Sequence, residues 1–203
     1  MVAIIDYGAG NLRSMHNKLL RLGIDAVVTS DKKVITKADK LILPGVGFFA
    51  SGMENLKKSG LIEILDQKVL KGKTPILGVC LGMQLLFEYS EEGEAAGLGW
   101  IKGEVKKFNF PKKRLKIPHM GWNTIEAKKS NKLLDEIPKN TQFYFVHSYH
   151  ACPKSDKNIL ATTNYGYDFA SVVAHNNIYG TQFHPEKSHS NGIQIIKNFT
   201  QKI

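Results

Sequence analysis

Short apolar runs alternate with amphipathic stretches through the first half of the chain. Val2–Asp6 reads as a β run and Gly8-Ala9-Gly10 as the loop after it. Asn11 is placed to cap a helix carrying Leu12, Met15, Leu19 and Leu22, which Gly23 stops. Ile24–Thr29 is expected as the second strand, and Leu41-Ile42-Leu43 as the third, ending in Pro44-Gly45-Val46-Gly47. Ser51-Gly52-Met53-Glu54 has the pattern of a capping box opening another helix. Leu61–Leu70 is helical and ends at Gly72. The apolar run Pro75–Val79 then leads into a helical spacing of Leu81, Leu85 and Phe87, with Met83 and Gln84. Apolar strands separated by helices predict a parallel sheet covered on both faces. Sites in such sheets lie at the carboxyl ends of strands.

From about Trp100 the pattern changes. Trp100–Phe108, Leu115-Lys116-Ile117, Thr124-Ile125-Glu126 and Phe143–Val146 read as shorter, hairpin-joined strands, and Ile178–Phe183 as a later one. Ser190–Lys202 carries Ile193, Ile196 and Phe199 at helical spacing and closes the fold. No linker or internal repeat interrupts the chain, so residues 1–203 are expected to form one domain. The fold class expected is α/β: a mostly parallel central sheet flanked by helices, with an additional antiparallel sheet.

Composition narrows the function classes. Hydrophobic residues make up 42% of 203, an ordinary globular value. No apolar run approaches the roughly 18 residues of a membrane span, and Met1–Asp6 lacks the basic region and cleavage site of a signal peptide. Two cysteines, Cys80 and Cys152, fit a reducing cytoplasm, with Cys152 a bystander. The histidines are scattered, so no metal site is expected. The net charge of +10 gathers in runs such as Lys106-Lys107 and Lys112-Lys113-Arg114, around Phe108-Asn109-Phe110-Pro111. A solvated hairpin explains these runs as well as a nucleic-acid patch does, and no nucleic-acid motif accompanies them. An acidic partner or phosphorylated ligand fits the charge better, and a generally high lysine usage in the source proteome better still.

The chemistry sits in two segments. Gly78-Val79-Cys80-Leu81-Gly82 reads as strand, sharp turn and helix, with a thiol at the turn. The glycines permit a tight backbone that a side chain would obstruct. A helix N-terminus favours the thiolate. Alone, the segment leaves a buried structural cysteine after a core strand as the lesser alternative. His184-Pro185-Glu186 supplies partners: two residues apart in extended backbone, His184 and Glu186 project to one side. His184 can then accept the thiol proton while Glu186 orients the ring. Gly8-Ala9-Gly10 is not a dinucleotide fingerprint, because Arg13 stands where the third glycine is needed. A phosphate or partner contact at that helix start remains open.

Together these residues resemble the class I (triad-type) glutamine amidotransferases. Finer motifs are similar to the branch that provides the glutaminase subunit of imidazole glycerol phosphate synthase. They are Asp6-Tyr7-Gly8-Ala9-Gly10-Asn11-Leu12, Pro44-Gly45-Val46-Gly47, Pro118-His119-Met120-Gly121-Trp122-Asn123 and His184-Pro185-Glu186-Lys187-Ser188. The resemblance implies Cys80, His184 and Glu186 as catalytic triad, acting on L-glutamine without cofactor or metal. It implies oxyanion donors at the N–H of Leu81 and, after a peptide flip, of Val46. Glutamine is then held near Gly47, Gln84, Glu92 and the His147-Ser148-Tyr149 strand end. Glu92 lies in an acidic run that reads equally as a solvated loop, and Tyr149 and His150 could be structural. The resemblance further implies a heterodimer with a separate (βα)8-barrel synthase subunit, which takes the ammonia to make imidazole glycerol phosphate and an aminoimidazole carboxamide ribotide. Asn11, Trp122, Tyr144 and Lys187 are candidates for the shared face. Two alternatives are a paralogous partner modifying surface-polysaccharide sugars, and a non-catalytic scaffold.

Overall fold

The fold is that of a computed structural model, which describes residues 1–111 and 115–203. The basic run Lys112-Lys113-Arg114 lies outside the described residues. The first half runs β1 (Val2–Ile5), α1 (Leu12–Arg21), β2 (Ala26–Thr29), α2 (Lys32–Lys37), β3 (Lys40–Gly45), α3 (Phe49–Lys58), α4 (Ile62–Asp66), β4 (Ile76–Cys80) and α5 (Leu81–Gln84). A wide π turn, Gln67–Lys71, extends α4 to Gly72. There follow β5 (Phe87–Ser90), β6 (Ala95–Ala96), β7 (Ile101–Lys107), β8 (His119–Thr124), β9 (Glu126–Ala127), β10 (Gln142–His147), β11 (Tyr149–Pro153), β12 (Ile159–Tyr165), β13 (Tyr167–His175), β14 (Ile178–Thr181) and α6 (His189–Lys202).

The central sheet has eight strands in the order β2-β1-β3-β4-β14-β13-β12-β9. The first five are mutually parallel and the remaining pairs antiparallel. Alternate residues of β1 enter different cores, which is why its apolar run is continuous. Val2 and Ile4 pack with Met15 and Leu19 of α1 and with Ile195, Ile196 and Phe199 of α6. Ala3 and Ile5 pack on the other face with Leu56, Leu65 and Phe87. That second face is also covered by a four-stranded sheet, β11-β7-β5-β6, while β10 and β8 form a separate antiparallel pair.

The register fixes where chemistry can converge. Gly45 at the end of β3 pairs with Cys80 at the end of β4, and Thr181 of β14 pairs with Val79. Three chain segments therefore leave the sheet side by side at its carboxyl edge: 46–48, 81–84 and 182–188.

Several local expectations give way to tertiary structure. Asn11 occupies the head of α1 but makes no capping hydrogen bond with its side chain. The helix after β3 opens at Phe49, so Ser51 lies inside it and the capping box is absent. Glu92, distant in sequence, caps that helix instead, its Oε2 accepting the Phe49 N–H at 2.9 Å. The helix α2 was not expected, because its sequence is polar and buries only Ile35; Asp31 starts it by accepting the Lys33 N–H at 2.7 Å. The helical pattern after Cys80 stops at Gln84. Phe87 is instead drawn into parallel pairing opposite Ile101. Leu115-Lys116-Ile117 forms no strand. Hairpins join β12, β13 and β14, but the earlier strands after Trp100 pair at longer range: β7 with β11 and β5, and β8 with β10.

Candidate active site

Cys80 closes β4 with φ +55° and ψ −111°, a left-handed conformation unusual for a residue with a side chain. The flanking glycines are required by close approach. A Cβ on Gly82 would lie 1.8 Å from the Leu43 carbonyl oxygen, and one on Gly78 would lie 2.7 Å from that of Gly82. The thiol is buried, with Sγ 3.9 Å from the Val146 carbonyl oxygen and 3.9 Å from Gln182 Nε2.

His184 and Glu186 meet, though not through extended backbone. Pro185–Lys187 is a 3₁₀ turn that brings Glu186 Oε1 to 2.9 Å from His184 Nδ1. Ser188 latches this turn: its hydroxyl donates to the His184 carbonyl at 2.6 Å and accepts the Tyr144 N–H at 3.0 Å. Burial opposes charge on the His184 ring, but neighbouring Cys80 and Glu186 outweigh it and raise its pKa to about 10. Among the described residues, His184 Nε2 and Glu186 Oε2 are buried without a hydrogen-bond partner. Cys80 and Glu186 thus favour the protonated ring, and Nε2 is the nitrogen placed to hold the proton that Cys80 gives up.

Cys80 and His184 line one cavity of about 180 Å³, together with Val46, Gly47, Leu81, Gln84, Glu92, Ser148 and Tyr149. Every residue expected to bind glutamine or stabilise an oxyanion therefore reaches the same space. Gly47 has φ +105°, where only glycine is unstrained. Gln84 is less free than its place suggests, since its Nε2 already donates to the Tyr149 carbonyl at 2.9 Å and to Gln182 Oε1 at 3.1 Å. Burial raises the pKa of Glu92, against the Phe49 N–H that lowers it. A larger cleft of about 490 Å³, lined by Thr124, Glu126, Lys139 and Asp168 among others, presents neither thiol nor imidazole.

Residues outside the expected set complete the neighbourhood. The buried Tyr7 hydroxyl donates to the Pro44 carbonyl at 2.8 Å, and burial, then the nearby Cys80, raises its pKa. A buried histidine relay lies behind the pocket strand. The Tyr149 carbonyl can only accept, so His147 Nδ1, 2.7 Å away, carries its proton. His147 Nε2 then accepts from His119 Nδ1 at 3.0 Å, and His119 Nε2 accepts from Asn123 Nδ2 at 3.2 Å. Each proton position requires neutral rings, and burial lowers His147 to about 3 and His119 to about 4.

The residues expected to meet a partner fall beside this site. Trp122 stacks on His189 at 5.1 Å between centroids and meets Tyr144 edge-on at 6.0 Å. Lys187 Nζ lies 5.7 Å from the Tyr144 ring centre. Asn11 heads α1, which packs against the Pro185–Lys187 turn.

A family model of class-I glutamine amidotransferases matches residues 3–203. The imidazole glycerol phosphate synthase subunit HisH 2 of Methanococcus maripaludis is 54% identical over 202 residues, covering 100% of both chains. Subunit HisH 1 of the same organism is 52% identical over 208 residues, again covering 100% of both. A solved glutamine amidotransferase superposes with a TM-score of 0.77 over 99% of this chain and 98% of its own, at 19% identity; that likeness shows the fold.

Proposed function

This chain belongs to the class-I glutamine amidotransferase family, and we propose that within it the protein works as the glutaminase subunit of an imidazole glycerol phosphate synthase, in histidine biosynthesis. It hydrolyses L-glutamine to glutamate and ammonia. The carrying observation is a left-handed Cys80 that shares a cavity with a His184 ring held by Glu186 at 2.9 Å. Its full-length likeness to subunits of that synthase supports the acceptor. Both numbered Methanococcus copies bear the same synthase name, so a polysaccharide-modifying partner is not favoured.

In this reading Cys80 yields its proton to His184 Nε2, and the thiolate attacks the side-chain amide carbon of glutamine. The N–H groups of Leu81 and, after its peptide turns, Val46 meet the oxyanion. His184 protonates the departing nitrogen, ammonia leaves and a γ-glutamyl thioester remains. Water deprotonated by His184 then releases glutamate and restores the thiol. Gly47, Gln84, Glu92, Ser148 and Tyr149 hold the amino acid, with the Glu92 carboxylate suited to its ammonium group.

The ammonia passes to a (βα)8-barrel cyclase subunit docked on the face that carries Asn11, Trp122, Tyr144 and Lys187. No described helix is long and apolar enough to cross a membrane. We place the reaction in the cytoplasm, where the unpaired Cys80 and Cys152 remain reduced. The test is Cys80→Ala in the reconstituted complex. Product formation from glutamine should cease while the reaction with ammonium salts continues. Loss of both from an intact complex overturns the assignment.

A further inference from the structure

Gln182 is fully buried one residue before the Phe183-His184 segment, and its role follows from hydrogen-bond polarity. The Tyr149 carbonyl can only accept, so the Gln84 atom 2.9 Å from it is the amide nitrogen. That same nitrogen lies 3.1 Å from the Gln182 amide, so the Gln182 atom facing it is oxygen. The other end of the Gln182 amide is therefore its NH2 group, and it faces Cys80 Sγ at 3.9 Å. An N–H pointed at sulfur inside a buried pocket is a poor partner for a neutral thiol and a good one for a thiolate. The separation is long for a resting contact, as in many unliganded sites, and leaves room for tightening when charge develops.

Resting on Cys80 as the nucleophile, we propose that Gln182 is a catalytic hydrogen-bond donor to the Cys80 thiolate, and that Gln84 is a positioning residue which fixes the direction of the Gln182 amide. The proton still travels from Cys80 to His184. Gln182 transfers nothing. Its N–H stabilises negative sulfur twice: when the thiolate forms, and when the thioester collapses and sulfur departs. Burial of Gln182 also explains why the chain Tyr149–Gln84–Gln182–Cys80 has a single sense. Reversing the Gln84 amide would oppose two acceptors, and reversing that of Gln182 would oppose two donors, both between buried side chains.

The readout is the pH dependence of Cys80 alkylation by iodoacetamide, followed by mass spectrometry in the full chain, with Cys152 as internal reference. Wild type should alkylate at Cys80 much faster than at Cys152 near neutral pH. Equal rates would remove Cys80 as nucleophile, a failure distinct from that of the present inference. Gln182→Glu keeps an acceptor for Gln84 and replaces the donor by a carboxyl group. Gln182→Met removes both functions at similar length. In both, alkylation of Cys80 near neutral pH should slow about tenfold relative to wild type, the loss that follows when the thiolate is deprived of a hydrogen bond. Folding of either variant suffices, as judged by circular dichroism. A wild-type alkylation profile in a folded variant would reduce Gln182 to a satisfied core amide and overturn the proposal.

Discussion

The hydroxyl of Tyr7, at the end of β1, donates to the carbonyl of Pro44, at the end of β3, over 2.8 Å. The bond ties the segment Pro44–Gly47, in which the second oxyanion donor is proposed, to the neighbouring strand. Tyr7→Phe keeps the ring and removes the tether. It leaves a carbonyl unpaired in a buried place, a cost of about 1–3 kcal/mol. We expect a folded protein whose glutaminase kcat falls about fivefold, the equivalent of ~1 kcal/mol of lost preorganisation, with KM little changed. Steady-state kinetics of the complex checks this, and an unchanged kcat would show that Pro44 needs no anchor.

The three shifted histidines should give stability an acidic and an alkaline limb that meet near pH 6.5. His147 and His119 are held far below the ordinary imidazole value of 6.5 by burial, at about 3 and about 4. Between those values and 6.5 the unfolded chain binds protons that the folded one refuses, so stability is lost as the pH falls. His184 behaves oppositely. Raised to about 10, it stays protonated in the folded state, and the stability it contributes below 6.5 is lost as the pH climbs toward 10. Urea midpoints from pH 5 to 9 should trace both limbs. His147→Gln should flatten the acidic limb, and His184→Gln the alkaline one.

Much of this site was legible because its identities lie in local motifs. The thiol between Gly78 and Gly82, and the pair His184 and Glu186, are fixed by neighbours in sequence, and the strand-helix alternation of the first half follows from burial on both sheet faces. What was not legible depends on partners far along the chain. Tyr7 is one tyrosine among seven until β1 lies beside β3. Gln182 is one polar residue in an expected strand until Gln84 gives its amide a direction. Glu92 reads as part of a solvated acidic run, and only the fold brings it to the Phe49 N–H. Phe87 fitted a helix by spacing and became a strand because β7 offered pairing. Local pattern loses there to long-range hydrogen bonding.

Gly47 and Gly82 should separate two reasons for glycine. At Gly82 a Cβ would lie 1.8 Å from the Leu43 oxygen, so Gly82→Ala should give little folded protein. At Gly47 nothing stands within 4 Å, but φ is +105°. Gly47→Ala therefore meets no atom and costs only backbone strain, about 1–3 kcal/mol. We expect a melting temperature lower by a few degrees and a larger loss of glutaminase kcat, about tenfold or more, because strain stiffens the segment in which the turn of the Val46 peptide is proposed. Differential scanning calorimetry and kinetics on one preparation give both numbers. Normal kcat with normal partner stimulation would place the moving peptide elsewhere.

Lys187 offers the test of how the two half-reactions are joined. It is exposed, follows Glu186 directly, and sits 5.7 Å over the Tyr144 ring, which in turn abuts Trp122. As a cation at the surface over a half-buried aromatic ring it contributes about 0.5–1 kcal/mol to this chain alone, too little to hold the triad in place. Its value is therefore expected at the docked face, where a lysine can pair with an acidic group of the cyclase subunit and close the route that ammonia takes. Lys187→Ala should leave glutamine hydrolysis within a few-fold of normal while breaking its stoichiometry with synthesis. The measurement is glutamate released per imidazole glycerol phosphate formed in the reconstituted complex. Excess glutamate in the variant means that ammonia escapes or that hydrolysis fires without an acceptor in place. A one-to-one ratio at wild-type rates would make Lys187 a solvated surface charge and would move the seal to the aromatic pair beneath it.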